Sequence, residues 1–73
     1  MNQSIIGPKP YAKLRGLIRE KCGTQRVFAQ KIGIAPSTVS LKLNGKASWS
    51  MDEVERSCDV LGLSIRKAWA YFF

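Results

Sequence analysis

Basic side chains are the groups in this sequence whose number and placement could do chemistry. Residues 1–49 hold nine of them against a single acid, Glu20, which gives this part of the chain a net charge of +8. Residues 50–73 hold three basic and four acidic residues, a net charge of −1. The nine basic residues are Lys9, Lys13, Arg15, Arg19, Lys21, Arg26, Lys31, Lys42 and Lys46. This uneven distribution predicts an anionic partner, and nucleic acid is the first candidate.

The residues that usually carry catalysis are scarce. The chain has no histidine for proton transfer near neutral pH, and neither Cys22 nor Cys58 has a histidine to activate it. Each cysteine falls on the apolar face of a predicted helix, either as a buried free thiol or as half of a disulfide between the two helices. Without histidine or a Cys-x-x-Cys pair, no metal site is expected. We therefore predict a protein that is not an enzyme and that needs no cofactor or metal.

Apolar residues recur at helical spacing through most of the chain, and no stretch alternates as a strand does. Helices are predicted over residues 11–22, 25–32, 36–43 and 51–61, with a last helix after Ser64. Gly7, Pro8 and Pro10 favour an extended N-terminal arm over residues 1–10. The length of 73 residues suits one domain. The predicted fold class is all-α, a compact five-helix domain over residues 11–73 that follows the arm.

Several helix ends carry recognisable chemistry. Thr24 and Ser50 offer N-cap oxygens, and Ser50 completes a capping box with Glu53. Glycine ends three of the predicted helices, at positions 23, 33 and 62. The predicted buried faces of the last two helices are Met51, Val54, Cys58 and Leu61, followed by Ile65, Ala68, Trp69 and Phe72.

The second and third predicted helices have the residues that a close, steep crossing needs. Ala29 is small enough for the helices to approach, Gly33 permits the reversal, and Val39 fills the core. This segment, residues 24–46, resembles the Cro/CI-type phage repressors, whose lambda-repressor-like domains bind DNA through a helix-turn-helix. The resemblance covers nearly all of residues 11–65. It implies a sequence-specific double-stranded-DNA-binding transcription regulator, with the helix over residues 36–43 in the major groove.

By this resemblance the outward positions of the third helix are the base-reading ones: Pro36, Ser37, Ser40 and Leu41. The serines can exchange hydrogen bonds with base edges, whereas no arginine, glutamine or asparagine is present to make a bidentate contact. The sequence therefore predicts modest direct readout, supplemented by DNA shape. Leu41 has three interpretations: contact with a thymine methyl, a dimer contact, or a surface leucine without a partner.

The sequence offers more residues for contacts with DNA phosphates than for contacts with bases. The start of the second helix presents free N–H groups beside Gln25 and Arg26. The resemblance adds family phosphate positions, and Lys42 adds charge; the full candidate set is Gln25, Arg26, Thr38, Lys42, Asn44 and Lys46. Relatives often have an acid just before the Asn-Gly, paired with an arginine that matches Arg19. That position is Leu43 here, which puts the brace between the first and third helices in doubt.

The expected partners follow from this interpretation. We expect double-stranded DNA, in the form of a palindromic operator, and a weak homodimer through the C-terminal helix, where Tyr71 and Phe73 are left over from the core. The chain start lacks the pattern of a secretory signal and no apolar run is long enough to span a bilayer, so we expect a cytoplasmic protein with no membrane partner. The alternative function is a protein-interaction module, anti-repressor-like, on the same fold.

Overall fold

The computed structural model describes residues 10–73, and these residues form five α-helices and a short 3₁₀ turn without any strand. The helices are α1 (Ala12–Cys22), α2 (Gln25–Ile32), α3 (Pro36–Leu43), α4 (Met51–Leu61) and α5 (Ala68–Phe72), with the 3₁₀ turn at Ile65–Lys67 before α5. The all-α, five-helix prediction is confirmed. The predicted arm over residues 1–10 lies, apart from Pro10, outside the described residues.

Local capping chemistry sets the ends of α2 and α4 as predicted. The Thr24 hydroxyl accepts a hydrogen bond from the Val27 N–H at 3.1 Å, which satisfies a donor at the start of α2. At α4, Ser50 Oγ accepts from the Glu53 N–H at 3.2 Å while Glu53 Oε1 accepts from the Ser50 N–H at 2.9 Å, so the capping box is complete. Pro36 occupies the first turn of α3, where its missing N–H costs nothing.

α2 lies at the centre of the packing and contacts α1, α3 and α4, while α5 contacts α1 and α4. Side chains from all five helices and from the loop before α4 form one apolar core. Its members are Leu14, Ile18, Phe28, Ala29, Ile32, Val39, Leu43, Trp49, Val54, Cys58, Leu61, Ala68 and Phe72. Burial of this single core holds α2 and α3 in a fixed relation to α4, because each of the three contributes fully buried side chains.

The predicted buried faces of α4 and α5 need correction. Met51 is 58% exposed because it is the first residue of α4 and lies beyond the core. Ser57 is buried instead, and its hydroxyl donates a hydrogen bond to the Glu53 carbonyl at 2.7 Å. In α5 the buried pair is Ala68 and Phe72, whereas Trp69 is exposed.

The exposed apolar groups at the C-terminal end therefore differ from those predicted. They are Ile65, Trp69 and Phe73, with exposures of 50%, 66% and 67%. Tyr71, predicted to be left over, is half-buried, and the Lys13 ammonium lies 5.3 Å from its ring centre. We call Ile65, Trp69 and Phe73 the C-terminal stripe.

Both cysteines are free thiols, so the disulfide alternative is wrong. Cys58 is buried and Cys22 is half-buried. Burial first, and then the carboxylates of Asp59 and Glu55, raise the pKa of the Cys58 thiol above its ordinary value. Cys58 consequently remains a neutral thiol near neutral pH and packs as a small apolar group.

Candidate nucleic-acid interface

The turn between α2 and α3 is tight, and a side chain of α4 is hydrogen-bonded to its first part. Gly33 adopts a left-handed conformation with φ 74°, which only glycine adopts without strain. The Ile34 N–H donates a hydrogen bond to the Ala29 carbonyl at 3.0 Å, which closes the end of α2. The Arg56 guanidinium donates to the Ile32 carbonyl and pairs with Asp52 at 2.8 Å. The end of α2 is thereby fixed to α4, and α3 starts in a defined direction.

α3 buries two of its apolar residues and leaves two serines and two apolar residues accessible on the other side. Val39 and Leu43 have no exposed surface, which seats the helix on the core. On the other side, Pro36 and Ser37 are exposed, Ser40 is half-buried, and Leu41 is 48% exposed. The four predicted base-reading positions thus lie on one accessible side of one helix, and we call them the outer face of α3. Whether they contact bases stays a prediction.

Five of the six predicted phosphate-contacting side chains remain accessible. Arg26, Asn44 and Lys46 are exposed, and Gln25 and Thr38 are half-buried. Gln25 lies at the start of α2 in the wall of an open pocket of about 330 Å³. The lining residues of this pocket are Arg15, Gly16, Ile18, Arg19, Gly23, Thr24 and Gln25. The pocket therefore places the start of α2 beside Arg19, an arrangement that can accommodate an anion.

Lys42 does not belong with the phosphate candidates. It is only 8% exposed, and its ammonium donates to the Ser48 carbonyl and pairs with Glu53 Oε1 at 3.0 Å. An ammonium group that is committed to two internal oxygens is not available to a ligand at the surface. The prediction failed because the partner, Glu53, lies on another helix and only the packing of α3 on α4 brings the two together.

A side-chain contact does connect α1 to the end of α3. It is made by Arg15 and not by Arg19, the residue that the resemblance indicated. Arg15 Nη2 donates to the Leu43 carbonyl at 2.7 Å and to Asn44 Oδ1 at 2.8 Å. Arg15 Nε also donates to the Pro10 carbonyl at 2.9 Å. The acceptors are backbone and amide oxygens and not the carboxylate that the resemblance implied, so no local sequence signal identifies the brace.

Most of the acidic residues lie on one helix. Four of the five acids in the chain lie on α4: Asp52, Glu53, Glu55 and Asp59. Burial is the largest influence on the Glu53 carboxyl and raises its pKa. Hydrogen bonds from the Ser50 N–H and from Lys42 outweigh burial, so the pKa of Glu53 lies below its ordinary value of 4.5. Glu53 is therefore ionised near neutral pH and neutralises Lys42.

Comparisons with known proteins give a family and a structural relative. A family model described as "Protein of unknown function (DUF739)" matches residues 9–73. The solution structure of the modulator of repression (MOR) of the temperate bacteriophage TP901-1 from Lactococcus lactis is similar to this chain, with 46% sequence identity and a TM-score of 0.78. The similarity covers 89% of this chain and 88% of that one. No curated protein matches significantly, and the resemblance to the Cro/CI type stays a prediction.

Proposed function

The chain belongs to the DUF739 family, and from this premise and the geometry of α2 and α3 we propose that it is a phage or prophage transcription regulator that binds double-stranded DNA in a sequence-specific, Cro- or repressor-like manner. The similar structure is of a protein named a modulator of repression, which supports a role in regulating phage gene expression. The observation that carries the DNA-binding proposal is the outer face of α3, which lies on the part of the chain with net charge +8. The proposal includes no catalytic step.

In this proposal α3 enters the major groove and the start of α2 lies over the sugar-phosphate backbone. Gln25, Arg26, Thr38 and Lys46 contact phosphates, with Asn44 at the end of α3. Ser37 and Ser40 exchange hydrogen bonds with base edges, and Leu41 contacts a thymine methyl group. Few of these side chains give strong base discrimination, so the shape of the DNA contributes to specificity.

A single short helix with small side chains gives limited discrimination, which favours two copies on a palindromic operator. The exposed apolar side chains of the C-terminal stripe supply a surface through which a weak homodimer could form. The proposal places the protein in the cytoplasm of the host cell. Within residues 10–73, no helix is long and apolar enough to cross a membrane.

A second candidate function is supported by the composition of the outer face of α3. Leu41 is 48% exposed, Pro36 is exposed, and none of the outward side chains is an arginine, glutamine or asparagine. An apolar helix face of this kind also fits a groove on another protein. Together with the printed name of the similar structure, this favours an anti-repressor-like module that binds a protein of the repressor system.

Salt dependence of DNA binding separates the two functions. We expect the affinity for DNA from the phage regulatory region to fall with a log–log slope of about −0.9 per neutralised phosphate. Lys46→Gln should weaken binding to cognate and random duplexes alike, whereas Leu41→Ala should change sequence preference. Lys67→Gln, which removes an exposed charge outside α2 and α3, is the matched control. Affinity that does not respond to salt, or a Lys46→Gln variant indistinguishable from Lys67→Gln, would favour the protein-interaction module.

A further inference from the structure

The Arg15 side chain is held by three hydrogen bonds to other parts of the protein. Its guanidinium donates to three oxygens, the carbonyls of Pro10 and Leu43 and the amide oxygen of Asn44, at 2.7–2.9 Å. Arg15 is also half-buried. Three acceptors on two sides fix the plane of the guanidinium, so Arg15 defines the orientation of the group it contacts at the end of α3.

That contact determines which way the Asn44 amide faces. The oxygen and nitrogen of an asparagine amide are ordinarily assigned from the hydrogen-bond network. Because arginine has only donors, the atom of Asn44 that faces Arg15 must be the oxygen. The Nδ2 group therefore faces away from Arg15, and Asn44 is exposed.

The backbone around Asn44 is equally defined. The Asn44 N–H donates to the Ser40 carbonyl at 3.0 Å, and the Lys46 N–H donates to the Leu41 carbonyl at 2.9 Å. Between them, Gly45 takes a left-handed conformation with φ 76°. The end of α3 consequently presents an oriented amide donor two residues before the exposed Lys46 ammonium.

We propose that Arg15 is a positioning residue for phosphate recognition, which orients Asn44 so that its Nδ2 donates to a DNA phosphate that Arg15 itself does not touch. This proposal rests on the proposed DNA-binding function. In this proposal the two residues have different roles. The charged guanidinium of Arg15 is bonded to oxygens within the protein, and the neutral amide of Asn44 contacts the DNA backbone. A neutral donor adds affinity without neutralising a phosphate, so it does not add to the salt slope.

A double-mutant cycle of Arg15→Gln and Asn44→Ala, measured by DNA affinity as a function of salt, tests these roles. Each single variant should lose roughly 10-fold in affinity, the size expected for one hydrogen bond to a charged group. The double variant should lose little more, and the slope should stay at its wild-type value. Arg19→Gln on the same helix is the charge-matched control, and its loss should add to that of Asn44→Ala.

Asn44→Asp separates binding from folding. The aspartate keeps an oxygen for Arg15, so the free energy of unfolding should be unchanged or higher, while a carboxylate replaces the donor and affinity should fall at least 10-fold. Wild-type affinity in Asn44→Asp, additive losses in the cycle, or a slope reduced by about 0.9 in Arg15→Gln would each overturn the positioning role alone. If the wild-type protein shows no salt-dependent DNA binding, the proposed function fails and this role fails with it.

Discussion

Lys42 is a basic residue of α3 whose ammonium group is directed inward. It joins the Ser48 carbonyl and the Glu53 carboxylate, and it lies 5.8 Å from the centre of the Trp49 ring. The loop between α3 and α4 is thus tied to both helices by one side chain. A cation in this position fixes the tilt of α3 instead of contributing to the outer surface.

Replacement of Lys42 by methionine should therefore destabilise the protein without affecting phosphate contacts. The aliphatic part of the side chain is kept, but Glu53 loses its charged partner, which should cost about 1–3 kcal/mol. Urea unfolding measures this cost, and Lys46→Met is the control, with little effect on stability expected. A stable Lys42→Met variant whose salt slope for DNA falls by about 0.9 would restore Lys42 to the phosphate set.

Glu53 should make stability depend on acid pH. Its pKa is lower in the folded protein than its ordinary value, so unfolding takes up a proton. The resulting stabilisation is complete above the ordinary value of 4.5 and is lost as the pH falls through the lower, folded-state pKa. Urea unfolding from neutral pH to about pH 3 should show this loss, and Glu53→Gln should reduce it. Glu55→Gln, which removes an exposed carboxylate of α4, is the control. If it reduces the acid-induced loss of stability as much as Glu53→Gln does, the loss does not arise from Glu53.

At the scale of elements, two glycines with opposite roles provide a direct test of the α2–α3 turn. Gly33→Ala forces a Cβ into a left-handed conformation and should cost about 1–2 kcal/mol. The added Cβ would lie 3.5 Å from Arg56 Nη1, an ordinary contact, so the cost comes from the backbone. Gly16→Ala, in the middle of α1, should instead stabilise by about 0.5–1 kcal/mol, because no atom beyond its chain neighbours and its own helix backbone lies within 4 Å of the new Cβ. Thermal unfolding of both variants measures the contrast, and equal effects would contradict the turn geometry.

The parts of the fold that could be predicted are those fixed by local chemistry. The Thr24 cap, the Pro36 start and the Ser50–Glu53 box each involve residues within four positions of one another. In α3, Val39 was predicted to fill the core, and it has no exposed surface. Sequence spacing contains this information because a helix places residues three and four apart on one side.

The parts that could not be predicted depend on contacts between helices. The Arg15 bonds to Leu43 and Asn44 span 28 and 29 residues, and the acceptors are oxygens that most residue types carry. In α5, the pairs Ala68–Phe72 and Trp69–Phe73 are both apolar at helical spacing, so the pattern alone does not decide which pair faces the core. Contact with α1 and α4 decides it.

At the scale of the whole molecule, the C-terminal stripe is an exposed apolar surface, and it holds three of the five large exposed apolar side chains within residues 10–73. Trp69 and Phe73 contact each other, with ring centres 4.5 Å apart, and both are about two-thirds exposed. Three side chains cannot bury the roughly 1,200–2,000 Å² that a stable protein interface needs. We therefore expect a dimer through the stripe to be weak in free solution and to gain strength only where a palindromic duplex holds two copies at high effective concentration.

The assembly prediction follows from that difference between free and bound protein. Sedimentation should find monomers in free solution and two copies on a duplex with two half-sites. Trp69→Ala combined with Phe73→Ala should weaken binding of the second copy by about 10-fold, the effect of losing about 1.4 kcal/mol of apolar contact. Met51→Ala, which removes an exposed apolar side chain outside the stripe, should leave both copies bound. Strict 1:1 binding at saturating protein, or equal affinity of the double variant and the wild type for the second half-site, would show that the stripe does not join two copies.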